Sequence, residues 1–493
     1  MRWNVAVGPS AVLFASMALA HCGTFSGADS APGADASVDQ TASQPPDGAA
    51  NVDAAGDGDI VADAGVDALR WATLLAAEGA EGGVVPGALL KFEGAQAGVL
   101  VSGDLVGSIT FDGSVVSSVE RDRFLWRLNA EGKTESVSAR SLMGDQRGAA
   151  LMQAQDGVLY ELVIGGATQQ VQLGTATGTN APFGELSSLA SDTTGFLAQG
   201  RDKLALYAGQ SGAVVVAGAV AADNLSNLVP LGSGSVRAVG RAGNDLVLAG
   251  ATKPGAPLPG DNICTVMHAD RKGYVLRLKA ADLLAASPKV SCVARTTLWA
   301  TELTIDAVTY APMMGTLDAE VIVVGRAKGD LYVGKNDIFI DGNSVVTMHD
   351  AKIATGEEGG IFVLKLADNG SLVRHKVFPH RSVADDSQTR AARVRRDGSL
   401  VLAGWLGGPM DFGGGPLTHN GASDAFIVTL APDLTHRWST SFGDAFQQQI
   451  RAMEVASDDA IYVSGLVSGT LGLAGLTSPV GQPSGFVAKF VAP

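Results

Sequence analysis

The residues of this 493-residue chain with the most chemistry in them are three cysteines and seven histidines. Cys264 follows a loop-like Pro259-Gly260-Asp261-Asn262-Ile263, and Cys292 sits in a strand-like Lys289-Val290-Ser291-Cys292-Val293. In an oxidising compartment the two are expected to form a disulfide. Closing a loop of about 30 residues would contribute roughly 3–4 kcal/mol through chain entropy. The other reading is two unpaired buried thiols. Cys264, His268 and Cys292 could bind zinc by count, but their spacing matches no standard zinc pattern. His268, His349, His375, His380, His419 and His436 form no H-E-x-x-H or other ligand spacing, and no metal or cofactor is expected. Neither a G-x-S-x-G elbow nor a phosphate loop occurs, so no catalytic residue is assigned. Asp and Glu pairs could serve glycoside chemistry, which needs carboxylates roughly 5–9.5 Å apart, a separation that sequence does not give. Trp126, Trp299 and Trp405 could line a sugar-binding face or pack between sheets.

The third cysteine, Cys22, follows an apolar run from Ala11 to Ala20 behind Met1-Arg2. The run is too short to span a membrane, which takes about 20 apolar residues, and it fits a signal peptide over 1–21. Leu19-Ala20-His21-Cys22 resembles a bacterial lipobox, which implies lipidation of Cys22 as the first mature residue. His21 departs from the small residue usual there. Ala18-Leu19-Ala20 alternatively reads as an ordinary signal peptidase site that leaves a soluble protein. Gly23 and Thr24 carry no aspartate retention signal, so resemblance to enteric lipoproteins implies an outer membrane lipoprotein; the alternative is periplasmic or secreted. Residues 22–69 are rich in Ala, Asp, Gly, Ser and Pro, with aspartates such as Asp29, Asp35 and Asp47 and no Lys or Arg. Such a segment buries little and repels itself, so it is expected to be a disordered tether. Asp57-Gly58-Asp59 could open a calcium loop, but Val61, Ala62 and Ala68 fall where ligands and the turn glycine belong.

From Arg70 onward the pattern is all-β. The chain is 46% hydrophobic, 17% charged and 6% aromatic, with 63 glycines and a net charge of −15. This mix suits packed strands with many turns, and it excludes the basic footprint of a nucleic-acid binder. One unit recurs at a period of about 60 residues. A strand ends on a small residue, as in Gly98–Gly103, Asp245–Gly250, Val321–Gly325, Leu400–Gly404 and Ile461–Gly465. Weaker copies are Val158–Leu162 and Gly195–Gly200. An aromatic strand follows: Phe124–Leu128, Tyr274–Leu278, Phe362–Leu366, Phe426–Leu430 and Phe486–Phe490. Four of these five carry a cation one step before the end: Arg127, Arg277, Lys365 and Lys489. Turn pairs such as Glu131-Gly132 and Asn369-Gly370 come next. A β-propeller over 70–493 is expected, with seven blades preferred over six and further strands near Ser187–Ala190 and Lys203–Tyr207. Arg70-Trp71-Ala72-Thr73 matches Arg437-Trp438-Ser439-Thr440, so Arg70–Leu75 should complete the last blade and remove its open edge.

Ile461-Tyr462-Val463-Ser464-Gly465, Asp411-Phe412-Gly413-Gly414 and Gly485-Phe486-Val487-Ala488-Lys489-Phe490 resemble the bacterial β-propeller repeat family SBBP. That family is frequent in secreted and surface proteins of myxobacteria and their relatives. The likeness is good over 390–493, fair over 85–133 and 235–390, and poor between 134 and 234. It implies no shared catalytic residue.

Two function classes follow. The first is a surface-anchored, non-enzymatic scaffold, monomeric and membrane-held by its lipid alone, contacting a protein or polysaccharide through loops on one ring face. The second is an exported hydrolase or lyase with its site at the channel. Acidic and histidine side chains at the channel mouth would favour the enzyme, and a lining of Gly and Ala the scaffold. The insert from Met313 to Glu358 is the expected special contact surface.

Overall fold

In space the recurring small residue and the recurring aromatic are cross-strand partners. Gly103 pairs with Phe124, Gly250 with Tyr274, Gly325 with Phe362, Gly404 with Phe426 and Gly465 with Phe486. All five aromatics are fully buried. Each one's burial is worth about 1.5–3 kcal/mol.

The computed structural model describes residues 68–492 apart from 93–96, 141–145, 154–158, 166–169, 176–183, 187–192, 199–203, 210–213, 222–223, 234, 243–244, 252–272, 284–289, 313–318, 335–338, 342–343, 347–350, 382–384, 474–475 and 479–481. Among these residues there are seven antiparallel sheets of four or more strands. Sheet one holds Glu78–Phe92, Gly98–Phe111, Ser114–Asn129 and Thr134–Arg140, and sheet two Gln146–Gln153, Leu159–Gly165, Gln170–Thr175 and Gly184–Leu186. Sheet three holds Thr193–Ala198, Leu204–Gly209, Val214–Ala221 and Asn224–Ser233. Sheet four begins Ser235–Ala242, Asp245–Ala251, Gly273–Lys279 and Cys292–Trp299; one short helical turn, Ala280–Leu283, precedes its fourth strand. Sheet five holds Glu302–Pro312, Ala319–Lys328, Gly360–Leu366 and Leu372–Pro379, and sheet six Gln388–Val394, Leu400–Leu406, Asp424–Leu430 and His436–Phe442. Sheet seven takes Gln448–Val455, Ile461–Val467 and Ser484–Phe490 from the end of the chain, and Leu69–Leu75 from its beginning. The opening strand therefore pairs where its motif predicts. Trp71 faces Lys489 as Trp438 faces Thr429, at the same position along the third strand. The strand expected near Ser187–Ala190 lies outside the described residues.

Strands two and three are buried on both faces because each sheet is packed between neighbours. Leu400–Leu406, Asp424–Leu430 and Ile461–Val467 are buried at every position. Cores form between sheets rather than within them. Val401, Ile427 and Trp438 of sheet six pack with Val463 and Phe486 of sheet seven. Val101 and Trp126 of sheet one pack with Tyr462 and Val487 of sheet seven. The first strand of every sheet lies against the first strand of the next, and Glu78–Phe92 of sheet one lies against Gln448–Val455 of sheet seven.

Two β-bulges recur. In six first strands one residue is extra: Gly87, Ala149, Arg237, Asp306, Arg390 and Arg451, each followed by alanine. In five fourth strands another is extra: Arg70, Glu135, Val293, Val373 and Arg437. The first bulge explains the glycine at the end of strand two. A Cβ there would stand 1.9 Å from the Gln388 carbonyl oxygen at Gly404, 1.9 Å from that of Gln449 at Gly465 and 2.2 Å from that of Thr304 at Gly325. The crowding comes from the kinked neighbour strand of the same sheet, not from convergence of different sheets, as the sequence pattern had suggested.

The insert between Lys328 and Gly360 is spent largely on the sheet before it. Asp330–Gly334 pairs with Cys292–Trp299, and Ala351–Ala354 pairs with Asp330–Gly334, which widens sheet four to six strands. Trp299 packs on Tyr332 with centroids 5.1 Å apart. A hairpin of Phe339–Asp341 and Ser344–Val346 is the part left over for other contacts.

Candidate functional site

Antiparallel order gives each sheet two unlike ends. At one, strand one meets strand two and strand three meets strand four through short turns. Asn369, Asp397 and Asp433 each accept from the amide two residues on, that of Ser371 at 3.0 Å, Ser399 at 2.9 Å and Thr435 at 3.0 Å. These are Asx turns, built by D/N-x-S/T triplets. Each turn reaches the adjacent sheet: Thr296 Oγ1 donates to Gly370 O at 2.6 Å, Arg374 Nη1 to Asp433 O at 3.3 Å, and the Arg396 amide to Asp459 Oδ1 at 3.2 Å. Thr73 Oγ1 does the same to Gly132 O at 2.5 Å, joining sheets seven and one.

At the other end lie the connections from strand two to strand three and from sheet to sheet. Here the connections are long, and side chains organise them. Asp411 Oδ1 accepts from the amides of Gly413 at 2.6 Å and Gly415 at 3.1 Å. This turn drives Phe412 between sheets, 4.9 Å from Phe378 and 5.1 Å from Phe426. The Phe-Gly-Gly motif is thus a wedge. Asp444 Oδ2 accepts from the Thr470 amide at 2.6 Å, and Gln448 Nε2 donates to Asp444 Oδ1 at 2.6 Å.

The first-strand bulges open toward this second end, where they re-aim one side chain each. In sheets four to seven that side chain is charged: Arg237, Asp306, Arg390 and Arg451. Arg326 bridges outward, with Nε 3.3 Å from Asp306 Oδ2 and Nη1 3.2 Å from Asp386 Oδ1. Burial pushes the Asp306 carboxyl up to about 6, against the pull of Arg326, Arg390 and Arg237. Burial also holds the Arg390 guanidinium below its ordinary value; Asp306 opposes this, and Arg326 and Arg237 add to it. Arg390 is exposed by area yet has protein on most sides, as a side chain inside a channel would. Arg451 is lowered by burial and by Arg390, against Asp104. The indole of Trp405 takes both cations, with Arg390 Cζ 5.6 Å and Arg451 Cζ 5.4 Å from its ring. Arg451 Nη2 donates to Gln449 Oε1 at 2.8 Å, while its Nε is buried without a hydrogen-bond partner.

Beside this cluster a cleft of about 250 Å³ opens between sheets five and six, lined by Glu302, Arg326, Lys328, Glu358, His380 and Asp385 among others. His380 Nε2 and Asp385 Oδ2 are buried without hydrogen-bond partners. Burial lowers His380, against Asp385. Among the described residues no three His, Cys, Asp or Glu side chains are grouped to hold a metal.

The residues singled out from sequence are scattered. Cys22, Cys264, His268 and His349 lie outside the described residues. Cys292 is buried at the head of its strand and its sulfur is engaged, so pairing with Cys264 is left as a proposal. His375 is exposed on an edge strand, and His436 Nε2 meets Ser439 Oγ at 2.9 Å. Trp126 and Trp405 are buried and Trp299 packs on Tyr332, so all three are packing residues, not a sugar platform. The four strand-end cations are also occupied: Arg127 by Glu135 at 2.8 Å, Arg277 by Asp245 at 2.8 Å, Lys365 by Glu320 at 2.9 Å, and Lys489 over the Tyr462 ring. A bulge shifts the period of two by one, which hides the arginine positions from an alternation reading. The visible signal is a charged residue before alanine in an otherwise apolar strand.

No family model matches the chain, and no curated protein matches it. Solved structures similar to it include Chaetomium thermophilum Raptor (8% identity, 87% of this chain and 30% of that chain, TM-score 0.38). The Neurospora crassa Pan2 WD40 domain matches at 10% identity over 84% of this chain and 89% of that one, with a TM-score of 0.38. Drosophila Plexin A in complex with Semaphorin 1b matches at 9% identity over 86% of each chain, with a TM-score of 0.40.

Proposed function

We propose that the chain is an exported, lipid-anchored β-propeller of seven blades that acts as a non-enzymatic scaffold, binding a protein or polysaccharide through its loop-bearing face. Support for a closed wheel is cyclic packing: each first strand lies on the next, and sheet seven shares a core with sheet one. The two-ended sheet is the observation that carries the binding reading. One end is sealed by short turns locked to their neighbours, and the other spends its residues on long, side-chain-pinned connections. Rigid scaffolds place recognition on loops of this kind. Membership of the SBBP repeat family, the Cys264–Cys292 disulfide and outer-membrane placement through Cys22 belong to the same proposal and rest on sequence motifs.

Palmitate labelling of the full chain, blocked by globomycin and absent in Cys22→Ala, tests the anchor; labelling that persists in the variant overturns it. Capture from cell-surface material tests the scaffold, with the loop of residues 407–423 exchanged for a short turn. Capture that survives this exchange and a matching one at 468–483 moves binding off this face. A second reading, an exported hydrolase or lyase, is favoured by the unpartnered His380 Nε2 and Asp385 Oδ2 in the cleft. Turnover of a polysaccharide by the full chain, abolished in His380→Ala, would replace the scaffold reading.

A further inference from the structure

Three arginines and one aspartate take the same position in four successive first strands, and a bulge puts each of them there. A bulge interrupts the ladder, so the fold gives up hydrogen bonding to present these side chains. The charges do not balance. Asp306 is engaged by Arg326, Asp386 draws Arg326 outward, and Asp104 acts on Arg451. Neither Arg237 nor Arg390 has a carboxylate in ion-pair contact among the described residues, and Arg451 Nε is buried without a hydrogen-bond partner. Gathering cations in a walled space costs repulsion and focuses a positive potential. It does so in a chain whose net charge is −15.

We infer that Arg237, Arg390 and Arg451, with Asp306 and Arg326 at their flank, line an oxyanion-binding site at the loop-bearing mouth of the ring, taking a carboxylate or phosphate group. The guanidinium fork suits both groups, because it offers paired donors to two oxygens of one anion. Trp405 keeps the Arg390 and Arg451 heads in place from behind, so little side-chain freedom is lost on binding. Asp306 sets selectivity: it repels an anion that approaches sheet five and leaves the Arg390–Arg451 side open. This site deepens the scaffold reading and rests on it for the mouth in which it sits.

The test titrates inorganic phosphate, citrate and glucuronate into the full chain by calorimetry. The wild type should bind at least one of them, more weakly as salt rises. Arg390→Gln with Arg451→Gln should weaken binding at least tenfold, Arg390→Lys with Arg451→Lys should restore part of it, and Arg396→Gln at the turn end should change nothing. Preference for citrate or glucuronate makes the natural group a carboxylate, and preference for phosphate makes it a phosphoryl group. Failure of the wild type to bind any of the three overturns the site, as does equal binding by the double glutamine variant. Should that variant not fold, Arg237→Gln, at an exposed position, carries the test with an expected loss of about threefold. Surface capture is run alongside. Capture without anion binding overturns the site and leaves the scaffold; anion binding without capture supports the site and overturns the scaffold.

Discussion

The inner bulge of the first strands and the outer bulge of the fourth strands are one backbone device with opposite outcomes. Both add a residue to an antiparallel strand, and both recur from sheet to sheet. The outer bulge turns its residue to water: Val293 is 37% and Val373 53% exposed, and Arg437 reaches Asp397 of the adjacent turn. Nothing crowds it, so Arg, Glu and Val serve equally. The inner bulge presses a carbonyl against the next strand, which forces glycine there, and it sends a charged side chain into confined space. A bulge at the rim tolerates any residue, whereas a bulge against a neighbour dictates the residue beside it and fixes where a charge can stand.

Breaking the inner bulge should therefore be the most damaging single change. Gly404→Ala puts a Cβ 1.9 Å from the Gln388 carbonyl oxygen, which only backbone movement can relieve. A cost of about 3 kcal/mol or more is expected in urea unfolding. Arg437→Ala at the outer bulge removes a surface pair and should cost no more than about 1 kcal/mol. Equal costs would mean that the two bulges do not differ as described.

The two ends should also part in their response to pH. Asp306 is raised to about 6 by burial, its side chain being 4% exposed. Between its ordinary value and about pH 6 the folded chain holds a proton that the unfolded chain has released, so stability falls as pH rises through this window. Below the window the penalty is absent, and above it the penalty is complete, on the order of 1–3 kcal/mol. Asp397 at the turn end behaves in the opposite sense. Partial burial raises it, but the Ser399 hydroxyl and amide and Arg437 outweigh this and bring it to about 2. Its stabilisation is present above the ordinary carboxylate value and is lost as pH falls toward 2. Asp306→Asn should flatten the stability profile between pH 4 and 6, and Asp397→Asn the profile below pH 4. An unchanged slope in either variant assigns that window to other groups.

What could be read in the chain divides along the same line. The glycine–aromatic pairs and the match of Trp71 to Trp438 were visible because strands two, three and four keep a fixed register over those residues. The site was not visible, because Arg237, Asp306, Arg390 and Arg451 fall where the register slips. A period of two then assigns them to the wrong face. His380 and Asp385 meet in one cleft only because sheets five and six lie side by side, and no sequence spacing encodes that neighbourhood. The insert from Met313 to Glu358 reads as a loop by length, and its pairing with an earlier sheet depends on an edge strand well before it.

The smallest effect tests whether the seam between chain ends is like any other junction. Thr73 Oγ1 bonds Gly132 O across sheets seven and one, and Thr296 Oγ1 bonds Gly370 O across sheets four and five. Each is a hydroxyl-to-carbonyl bond between a fourth strand and the following sheet's turn, worth about 1 kcal/mol. In a closed wheel no junction can open alone, so Thr73→Val and Thr296→Val should lower urea-unfolding stability by the same amount within about 0.5 kcal/mol. In an open array the terminal strand frays first, and removing its hydroxyl changes local opening without changing global stability. A Thr73→Val effect near zero beside a full Thr296→Val effect would show that the first strand is an appendage, and hydrogen exchange at Ala72 and Leu74 would then run far faster than at Val487.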